Sequence, residues 1–415
     1  MSCYCLVNPA RLPALRARFP ETHTMLNLNL DLTPERQQIV DAVKAICDQF
    51  DDKYWIECER HLRFPHEFHD AIAAGGWLGI TLPTEYGGSA LGMTEASLMM
   101  QVVGNSAGVQ AACTALHINI FGPHAIVVHG TEEQKQRLLP PITQGKMKVC
   151  FGVTEPDAGL DTSRITTSAV RKGDGYVING RKVWTSTAQI ADKIMIVART
   201  TPRELCVKPT DGISLFFTDL NRKHIEVTEI EKMGRGAVDS NSVFIDDLYV
   251  PKEDLIGAEG AGFKILLDSL NPERILIGAE VVGMGFRALE KATQYAKDRI
   301  VFDRPIGMNQ SIQHPLAESW AELSAANLMV WRAAALYDAG KPCGAEANAA
   351  KYLGADAAFL AADRAVRTHG GYGYAREYNV ERYFRELVPQ RMAPVSRELI
   401  LCYLAERVLG LPKSY

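Results

Sequence analysis

The spacing of apolar residues predicts helices in the first part of the chain. From residue 33 to about residue 144, apolar side chains recur every three to four positions, beginning with Ile39, Val43, Ile46 and Phe50. This interval matches the turn of an α-helix, so each helix has one apolar face. We therefore predict an N-terminal helical domain over residues 26–147.

The apolar period falls to two in the middle of the chain. Short alternating segments include Ser168–Arg171, Tyr176–Ile178 and Lys182–Trp184, and alternation of this kind is typical of strands. The dipeptide Asn179-Gly180 stands between two of these segments and predicts a tight type I′ hairpin turn. We predict a β-barrel-like middle domain of seven or eight short strands over residues 148–257.

The helical period returns after Gly262 and continues to the end of the chain. Long Ala- and Leu-rich helices separated by turn residues pack as a bundle. The sequence thus predicts an α+β multidomain fold whose last part, residues 258–415, is a four-helix bundle. The predicted helices are Ile275–Ile300, Pro315–Ala339, Ala345–Thr368 and Ser396–Leu409.

The segment Asn271-Pro272-Glu273-Arg274 permits two interpretations. Asn at an N-cap, Pro at the first helical position and Glu in the first turn are typical of a helix start. The same four residues also place a carboxylate beside a guanidinium, which is a candidate for catalysis. The spacing alone favours the helix start and leaves the catalytic interpretation open.

Composition narrows the class of protein. With 415 residues and 47% hydrophobic content, the chain is long enough for two or three globular domains. A net charge of −4 provides no basic surface for nucleic acid. The apolar run Ile275–Phe286 contains Glu280 and is too short to span a bilayer, so we predict no membrane span.

The cysteines and the first residues bear on the compartment. Nine cysteines without paired spacing argue against a disulfide framework and for a reducing compartment. Cys3 and Cys5 lack further ligands nearby, so no metal site is predicted. We interpret residues 1–25 as a disordered extension and expect a cytoplasmic, bacterial protein. The alternative is a mitochondrial presequence, because three arginines precede the first acidic residue.

Two segments of the middle domain are candidates for ligand binding. Residues 151–161 cover the end of a predicted strand and the segment that follows it. This segment contains Thr154, Glu155 and Gly159, which offer hydroxyl and backbone donors suited to phosphate or ring heteroatoms. Residues 184–187 place a tryptophan and three hydroxyls on a nearby strand. The alternatives are an ordinary turn for the first segment and a core position for Trp184.

The motifs of the chain resemble those of the acyl-CoA dehydrogenase flavoprotein family. The match extends from about residue 28 to the end, and its specificity lies in the order and spacing of several motifs together. These motifs are Val153-Thr-Glu-Pro-Asp-Ala-Gly159, Asn179-Gly-Arg-Lys-Val-Trp184, Gly260-Ala-Gly-Phe263, Arg299-Ile-Val-Phe302 with Arg304-Pro-Ile-Gly307, and His369-Gly-Gly-Tyr-Gly373.

The resemblance implies an FAD cofactor held between subunits of a homotetramer. On the flavin and pyrophosphate side, the matching residues are Phe151, Val153, Thr154, Gly159, Leu160, Trp184 and Ser186. Those matching the contacts from the neighbouring subunit to the adenine half are Arg299, Phe302, Gln310, Arg367 and Gly371, and the last adenosine contacts match Ser396 and Glu398. Three positions depart from the family pattern: Leu160 replaces a common Ser, Asp303 a usual Gly and Arg367 a usual Gln.

The resemblance also implies a catalytic carboxylate. In many members this base is a Glu in the last segment, where the present chain has Pro394, which cannot accept a proton. Members similar to the isovaleryl and long-chain enzymes instead place a Glu immediately before the Arg of the first bundle helix. Glu273, before Arg274, matches that position, and Asn271, Arg274 and Leu160 match the substrate side.

The function implied is an FAD-dependent acyl-CoA dehydrogenase of fatty acid metabolism that passes electrons to an electron-transfer flavoprotein. An oxidase that uses O2 is a variant on the same scaffold. A catalytically silent flavin-binding or scaffolding homologue is the alternative, motivated by Pro394. Residues 108–114 match the helix at the floor of the acyl pocket, and their small or neutral side chains suggest a medium or branched acyl chain.

Overall fold

The computed structural model describes residues 32–414. The extension assigned to residues 1–25 lies outside the described residues. Between residues 32 and 414 the order of elements is helices, one large sheet, then helices, which confirms the predicted α+β architecture.

The N-terminal helices form the first layer. Thr33 accepts a hydrogen bond from the Arg36 N–H at 3.4 Å and Pro34 occupies the first turn of the first helix, as an N-cap followed by proline predicts. In the described part of the chain, the helices before the sheet are α1 (Pro34–Cys47), α2 (Asp52–Arg60), α3 (His66–Ala74), α4 (Met93–Asn105), α5 (Val109–Phe121), α6 (His124–His129) and α7 (Glu132–Thr143).

One stretch of this layer has the length and composition of a membrane span. This stretch is Val109–His129, which comprises α5 and α6, and 78% of its most apolar part is buried inside the fold. Such burial is typical of a core helix, because the apolar surface is already covered by protein.

The middle domain is a single eight-stranded sheet. Its pairing order is β6-β7-β3-β2-β4-β5-β8, and β1 pairs in parallel with β4. One face packs on the N-terminal helices through residues such as Ile126, Leu138 and Leu215. The strands are β1 (Val149–Gly152), β2 (Ser168–Lys172), β3 (Gly175–Ser186), β4 (Lys193–Arg199), β5 (Ile213–Asp219), β6 (Ile225–Glu229), β7 (Ser240–Pro251) and β8 (Leu255–Ile256).

The predicted hairpin turn at Asn179-Gly180 is wrong. The turn lies at Gly173-Asp174, where Gly173 has φ +62°, and Asn179-Gly180 lies inside the long strand β3. Ile178 pairs with Leu248 of β7 and Gly180 pairs with Ile245, so the dipeptide lies opposite a bulge in which β7 carries the extra residue. The Asn179 amide is bonded to Asp247 of β7, which satisfies the side chain that would otherwise favour a turn.

The C-terminal helices form the predicted bundle with one short helix that the sequence pattern missed. A hairpin of β9 (Ile300–Val301) and β10 (Arg304–Pro305) links its first two helices. Beyond the sheet, the described helices are α8 (Gly262–Asp298), α9 (Gln310–Asp338), α10 (Gly344–His369), α11 (Val380–Leu387) and α12 (Arg397–Arg407). The bundle and helices α1 to α5 share one hydrophobic core.

The helix start at Asn271-Pro272 is also a wrong prediction. Helix α8 begins ten residues earlier at Gly262 and contains Pro272 in its interior. Pro272 cannot donate to the carbonyl one turn before it, yet the extra turns bury Ile265 and pack Phe263 and Leu266 against the sheet. Tertiary packing offsets the lost hydrogen bond, so Asn271 and Pro272 do not cap a helix.

A buried ion pair fixes the loop after β1 to strand β3. The Lys182 ammonium lies 2.8 Å from the Glu155 carboxylate and donates to the Val153 carbonyl at 3.1 Å. Glu155 also accepts from the N–H groups of Thr166 and Thr167 at 2.6 and 3.0 Å. Burial alone would raise the pKa of Glu155, but the Lys182 charge and these hydrogen bonds hold it at about 2.

Helices α4 and α8 approach so closely that only glycine fits between them. A Cβ on Gly283 would lie 2.2 Å from the Gln101 carbonyl oxygen. We expect Gly283→Ala to destabilise the fold by about 1–3 kcal/mol, since a backbone oxygen cannot move aside without its helix. Urea unfolding followed by circular dichroism measures this change. Gly354→Ala, which meets a Val281 methyl at 3.0 Å, is the milder comparison, and an equal loss in both variants would contradict the explanation.

Removal of the Lys182 charge should destabilise the middle domain. We expect Lys182→Met to lower the free energy of unfolding by about 3–5 kcal/mol, because it leaves the Glu155 carboxylate buried without a counter-charge. The control is Lys172→Met on the exposed end of β2, where a change within about 0.5 kcal/mol is expected. A neutral result for Lys182→Met in thermal or urea unfolding would show that the pair is not essential to this loop.

Candidate active site

The carboxylate of Glu273 lies where three helices meet. Glu273 is half-buried on α8, and the charged groups acting on it are His117 of α5, Arg274 and Glu280 of α8, and Lys351 of α10. Within the described part of the chain, no hydrogen bond or ion pair involves its carboxyl. A carboxyl group without a protein partner beside several cations is a candidate acid or base.

Burial sets the proton affinity of this group. Loss of water contact raises the pKa of Glu273 to about 7, even though the charges of His117, Arg274 and Lys351 oppose the change. A proton acceptor works best when its pKa lies near the working pH. Glu273 is thus suited to take up a proton near neutrality.

The neighbours of Glu273 keep unused polar groups. Arg274 donates to the Asn271 side chain at 3.4 Å, while its buried Nε has no partner in the part of the chain that the structure describes, and burial lowers its pKa. Such an unpaired buried donor commonly faces a ligand. Asn271 and Arg274, both assigned to substrate by the sequence, therefore lie on the same helix turn as Glu273.

The segment around Pro394 closes this part of the site. Lys351 is 1% exposed and donates to the Val395 carbonyl at 2.8 Å. Burial lowers the pKa of Lys351 to about 8. Within residues 32–414 the Val395 N–H makes no hydrogen bond, so it is free to meet a ligand. Ser396 caps α12 through the Leu399 N–H at 3.2 Å.

The structure brings the predicted flavin-side residues together. The Val183 N–H donates to the Thr154 carbonyl at 2.9 Å, so the loop after β1 lies against the strand that carries Trp184. The register of β3 against β7 shifts between Lys182 and Thr185. Trp184 sits in this bulge at φ +62° and is 60% exposed, which excludes the core position considered from the sequence.

These features fit a flat cofactor with a phosphate tail. A tryptophan at positive φ is a strained conformation that commonly marks a functional site. At Gly159 a Cβ would meet no atom within 4 Å, and Leu160 is 61% exposed, so the loop offers open backbone. Phe151 lies 5.8 Å, ring to ring, from Phe121 at the end of α5, which joins the flavin-side strand to the helix facing Glu273.

Arg235 connects the two halves of the site and was not identified from the sequence. Its guanidinium donates to Ser240 at 2.8 Å and reaches Ser186 of β3 and Thr114 of α5, both at 3.4 Å. Its backbone has φ +59°, and burial lowers its pKa. The sequence did not indicate this role, because Arg235 lies in a loop of mixed composition in which no pattern distinguishes it from its neighbours.

The pair His117–Glu280 was also missed. The sequence interpretation of the acyl-pocket helix ended at Thr114, three residues before His117, and used Glu280 only to exclude a membrane span. In the structure the two side chains meet at 2.9 Å. The available signal was a single acidic residue in an apolar helical run, since a buried carboxylate requires a partner.

The residues predicted to contact the adenine half gather elsewhere. Arg299, Phe302, Gln310, Arg367 and Gly371 lie at the far end of the bundle, around the end of α8, the start of α9 and the end of α10. The Arg299 guanidinium lies 5.7 Å from the Tyr372 ring, and Phe302 is 94% exposed. At Gly371 a Cβ would meet no atom within 4 Å.

This second group is too far from Glu273 to share its ligand. Arg299 is the C-cap of α8, whereas Glu273 lies in the first third of this helix, and the rise of about 1.5 Å per residue separates them by about 39 Å along the axis. Ser396 and Glu398, by contrast, lie near Lys351 on the Glu273 side. The residues that match the flavin and substrate contacts and those that match the adenine contacts therefore lie in two separate regions of the chain.

Comparison with known proteins shows the family to which the chain belongs. Three domain families, described as the acyl-CoA dehydrogenase N-terminal, middle and C-terminal domains, match residues 33–146, 150–248 and 260–408. The acyl-CoA dehydrogenase FadE12 of Mycobacterium tuberculosis is 37% identical over 394 residues, covering 92% of this chain and 97% of the relative.

Two further relatives add detail. The caffeyl-CoA reductase-Etf complex subunit CarC of Acetobacterium woodii is 34% identical and covers 80% of this chain and 86% of its own length. A solved structure, the FAD complex of PigA, superposes with a TM-score of 0.86 at 26% identity and covers 92% of this chain and 99% of its own. The protein is an oxidoreductase that belongs to the acyl-CoA dehydrogenase family.

Proposed function

We propose that this protein is an FAD-dependent acyl-CoA dehydrogenase that converts an acyl-CoA thioester to 2-enoyl-CoA. The observation that carries this proposal is Glu273, a half-buried carboxyl that has no hydrogen-bond partner among residues 32–414 and whose pKa lies at about 7. Removal of a proton from the carbon next to a thioester needs a base of this kind. Glu273 stands beside the Arg274 donor and on the face of α8 that α5 covers.

Each residue has a defined task in this proposal. Glu273 removes the proton from Cα, and bound FAD supplies the acceptor for the hydride from Cβ at flavin N5. Arg274 and Asn271 orient the substrate side, where the Arg274 Nε is free to donate. Pro394 has no N–H, so we assign the thioester carbonyl to the Val395 N–H, which Lys351 positions through the Val395 carbonyl.

The position of the base defines the subgroup we propose. Glu273 stands directly before Arg274 on the first bundle helix, as in the isovaleryl and long-chain types that the sequence resembles. The chain has Pro394 at the alternative position. Of the two positions at which members of the family place the base, Glu273 is therefore the one that carries a carboxylate in this chain.

The flavin site supports FAD as the cofactor. We assign the ring to Trp184 and Ser186, and the ribityl and pyrophosphate parts to the open loop with Thr154, Gly159 and Leu160. The exposed Trp184 offers a flat face to the ring, and backbone N–H groups in a loop suit phosphate oxygens. The structural neighbour PigA was solved as a complex with FAD.

In this proposal, the adenine half of FAD is bound by a second subunit. Since about 39 Å of helix separates Arg299 from Glu273, we propose that Arg299, Phe302, Gln310, Arg367 and Gly371 reach the FAD of a neighbouring chain in a homotetramer built as a dimer of dimers. Exposed apolar side chains such as Phe302, at 94%, and Leu328, at 60%, are then covered by assembly.

We propose an electron-transfer flavoprotein as the electron acceptor. The relative from Acetobacterium woodii is named as a subunit of a complex with Etf, and it matches most of this chain. The oxidase variant would instead return electrons to O2. The rate at which air reoxidises the reduced protein, compared with the rate given by an electron-transfer flavoprotein, separates these two acceptors.

Glu273→Gln should abolish reduction of the bound flavin by acyl-CoA. General-base catalysis contributes about 10²–10⁴-fold, so the rate of flavin bleaching should fall by at least about 10²-fold while the protein remains yellow. Anaerobic stopped-flow absorbance with a panel of acyl-CoA thioesters measures this rate. Glu133→Gln, an exposed site on α7, is the control and should bleach normally.

Two outcomes would contradict the proposal in different ways. Bleaching that persists in Glu273→Gln would refute the assignment of the base. A yellow wild-type protein that no acyl-CoA bleaches would instead favour the silent homologue.

Arg299→Ala should weaken FAD binding without dissolving the assembly. Loss of a charge-assisted contact costs about 1.5–3 kcal/mol, equivalent to a rise of at least about tenfold in the Kd for FAD. Equilibrium dialysis gives the Kd, and analytical ultracentrifugation gives the number of subunits. Arg60→Ala on α2 is the control, and an unchanged Kd in Arg299→Ala would remove Arg299 from the FAD site.

A further inference from the structure

A buried histidine and carboxylate join α5 to α8. His117 Nδ1 lies 2.9 and 3.1 Å from the two carboxyl oxygens of Glu280. Glu280 has no exposed surface and His117 is 7% exposed. A carboxylate cannot be buried at low cost without a counter-charge or hydrogen bonds. The bond to both oxygens shows that His117 is the main partner, and the Gln110 amide adds a longer contact at 3.5 Å.

The pair faces the same side of α8 as Glu273. Glu280 follows Glu273 by seven residues, or about two turns, so both side chains lie on one face of the helix. Four charged groups act on Glu273, namely His117 from α5, Lys351 from α10, and Arg274 and Glu280 from its own helix. Among the three cations, His117 lowers the pKa of Glu273 most.

The imidazole ring also contacts an aromatic side chain. Its centroid lies 5.3 Å from that of Phe121, which in turn lies 5.8 Å from that of Phe151 on β1. The bond to the Glu280 carboxylate and the contact with Phe121 restrict rotation of the ring. A charge fixed in this way acts on its neighbour without the reorganisation that a mobile group would require.

We infer that His117, held by Glu280, is a positioning residue that keeps Glu273 ionised and ready to accept the substrate proton. This inference rests on the proposed role of Glu273 as the base. A base in a half-buried site tends to hold a proton, because burial disfavours its charged form. The positive charge that the buried Glu280 carboxylate requires of its partner His117 opposes that tendency, and the bond to Glu280 orients the ring.

His117→Gln should shift the pH dependence of proton abstraction upward. Without the cation, Glu273 remains protonated to higher pH, so the midpoint of kcat/KM against pH should rise by about one unit, since an opposite charge nearby typically shifts a carboxyl by 1–3 units. Below the midpoint, kcat/KM should fall about tenfold. KM for acyl-CoA at high pH should match wild type, because the ring is not assigned to the substrate.

The sign of the shift in Glu280→Gln tests how Glu280 acts. As an anion, Glu280 by itself raises the pKa of Glu273, so a purely direct effect predicts a lower midpoint when it is removed. If Glu280 holds His117 as a cation, its loss also removes the larger favourable charge, and the midpoint should rise. A fall in the midpoint would overturn the role given to Glu280.

Infrared difference spectra give a readout that does not depend on turnover. The carboxyl band that disappears in Glu273→Gln reports protonation of Glu273 directly, and its midpoint in the FAD-loaded protein should move upward in His117→Gln. An unchanged midpoint would overturn the inference while leaving Glu273 as the base. Full activity of Glu273→Gln would instead refute Glu273 as the base, and a wild-type protein that no acyl-CoA bleaches would refute the proposed function.

Two further variants guard against misfolding and nonspecific effects. The double variant His117→Gln/Glu280→Gln replaces the buried pair with two neutral amides that can bond each other. If His117→Gln does not fold, the double variant should still show an upward midpoint, and a downward shift would count against the inference. His129→Gln removes a histidine that lies 3.0 Å from Asp268 and is not among the four charged groups named above as acting on Glu273, so it should leave the midpoint unchanged.

Discussion

Two carboxylates on one face of α8 impose the main physical constraint on this protein. Glu280 has no exposed surface, and Glu273 lies half-buried two turns before it. Charges in such places require compensation from neighbouring elements. Helix α5 provides His117 for Glu280, and α10 provides Lys351 near Glu273. The packing of α5, α8 and α10 into one core is therefore also what sets the chemistry of the site.

The compensation is complete at one carboxylate and incomplete at the other. Glu280 accepts from His117 through both oxygens, which is suitable for a structural anion. Glu273 is influenced by cations but bonded by none within the described residues, and its pKa is raised to about 7. The contrast assigns different roles to two identical side chains, since a fully paired carboxylate cannot readily accept a proton whereas an unpaired one can.

The middle domain contributes a rigid frame rather than a charge. The buried Glu155–Lys182 pair ties the loop after β1 to β3, and the bulge in β3 turns Trp184 outward at a strained backbone angle. Arg235 then links Ser186 of this strand to Thr114 of α5. Through these contacts the sheet is fixed against the helices that carry Glu273, so the proposed flavin and base are held in one geometry.

The sequence by itself determined the succession of helices, sheet and helices, because apolar periods of 3.6 and 2 reflect local geometry. It also determined the motifs that identify the family and pointed to Glu273. Tertiary structure decided the rest. Asn179-Gly180 lies inside a strand, opposite a bulge in β7, because β7 pairs along β3, and Pro272 lies inside α8 because the preceding turns bury Ile265 against the sheet. His117 and Glu280 stand 163 positions apart, so their pairing, and the charge it places beside Glu273, arises only when distant helices pack together.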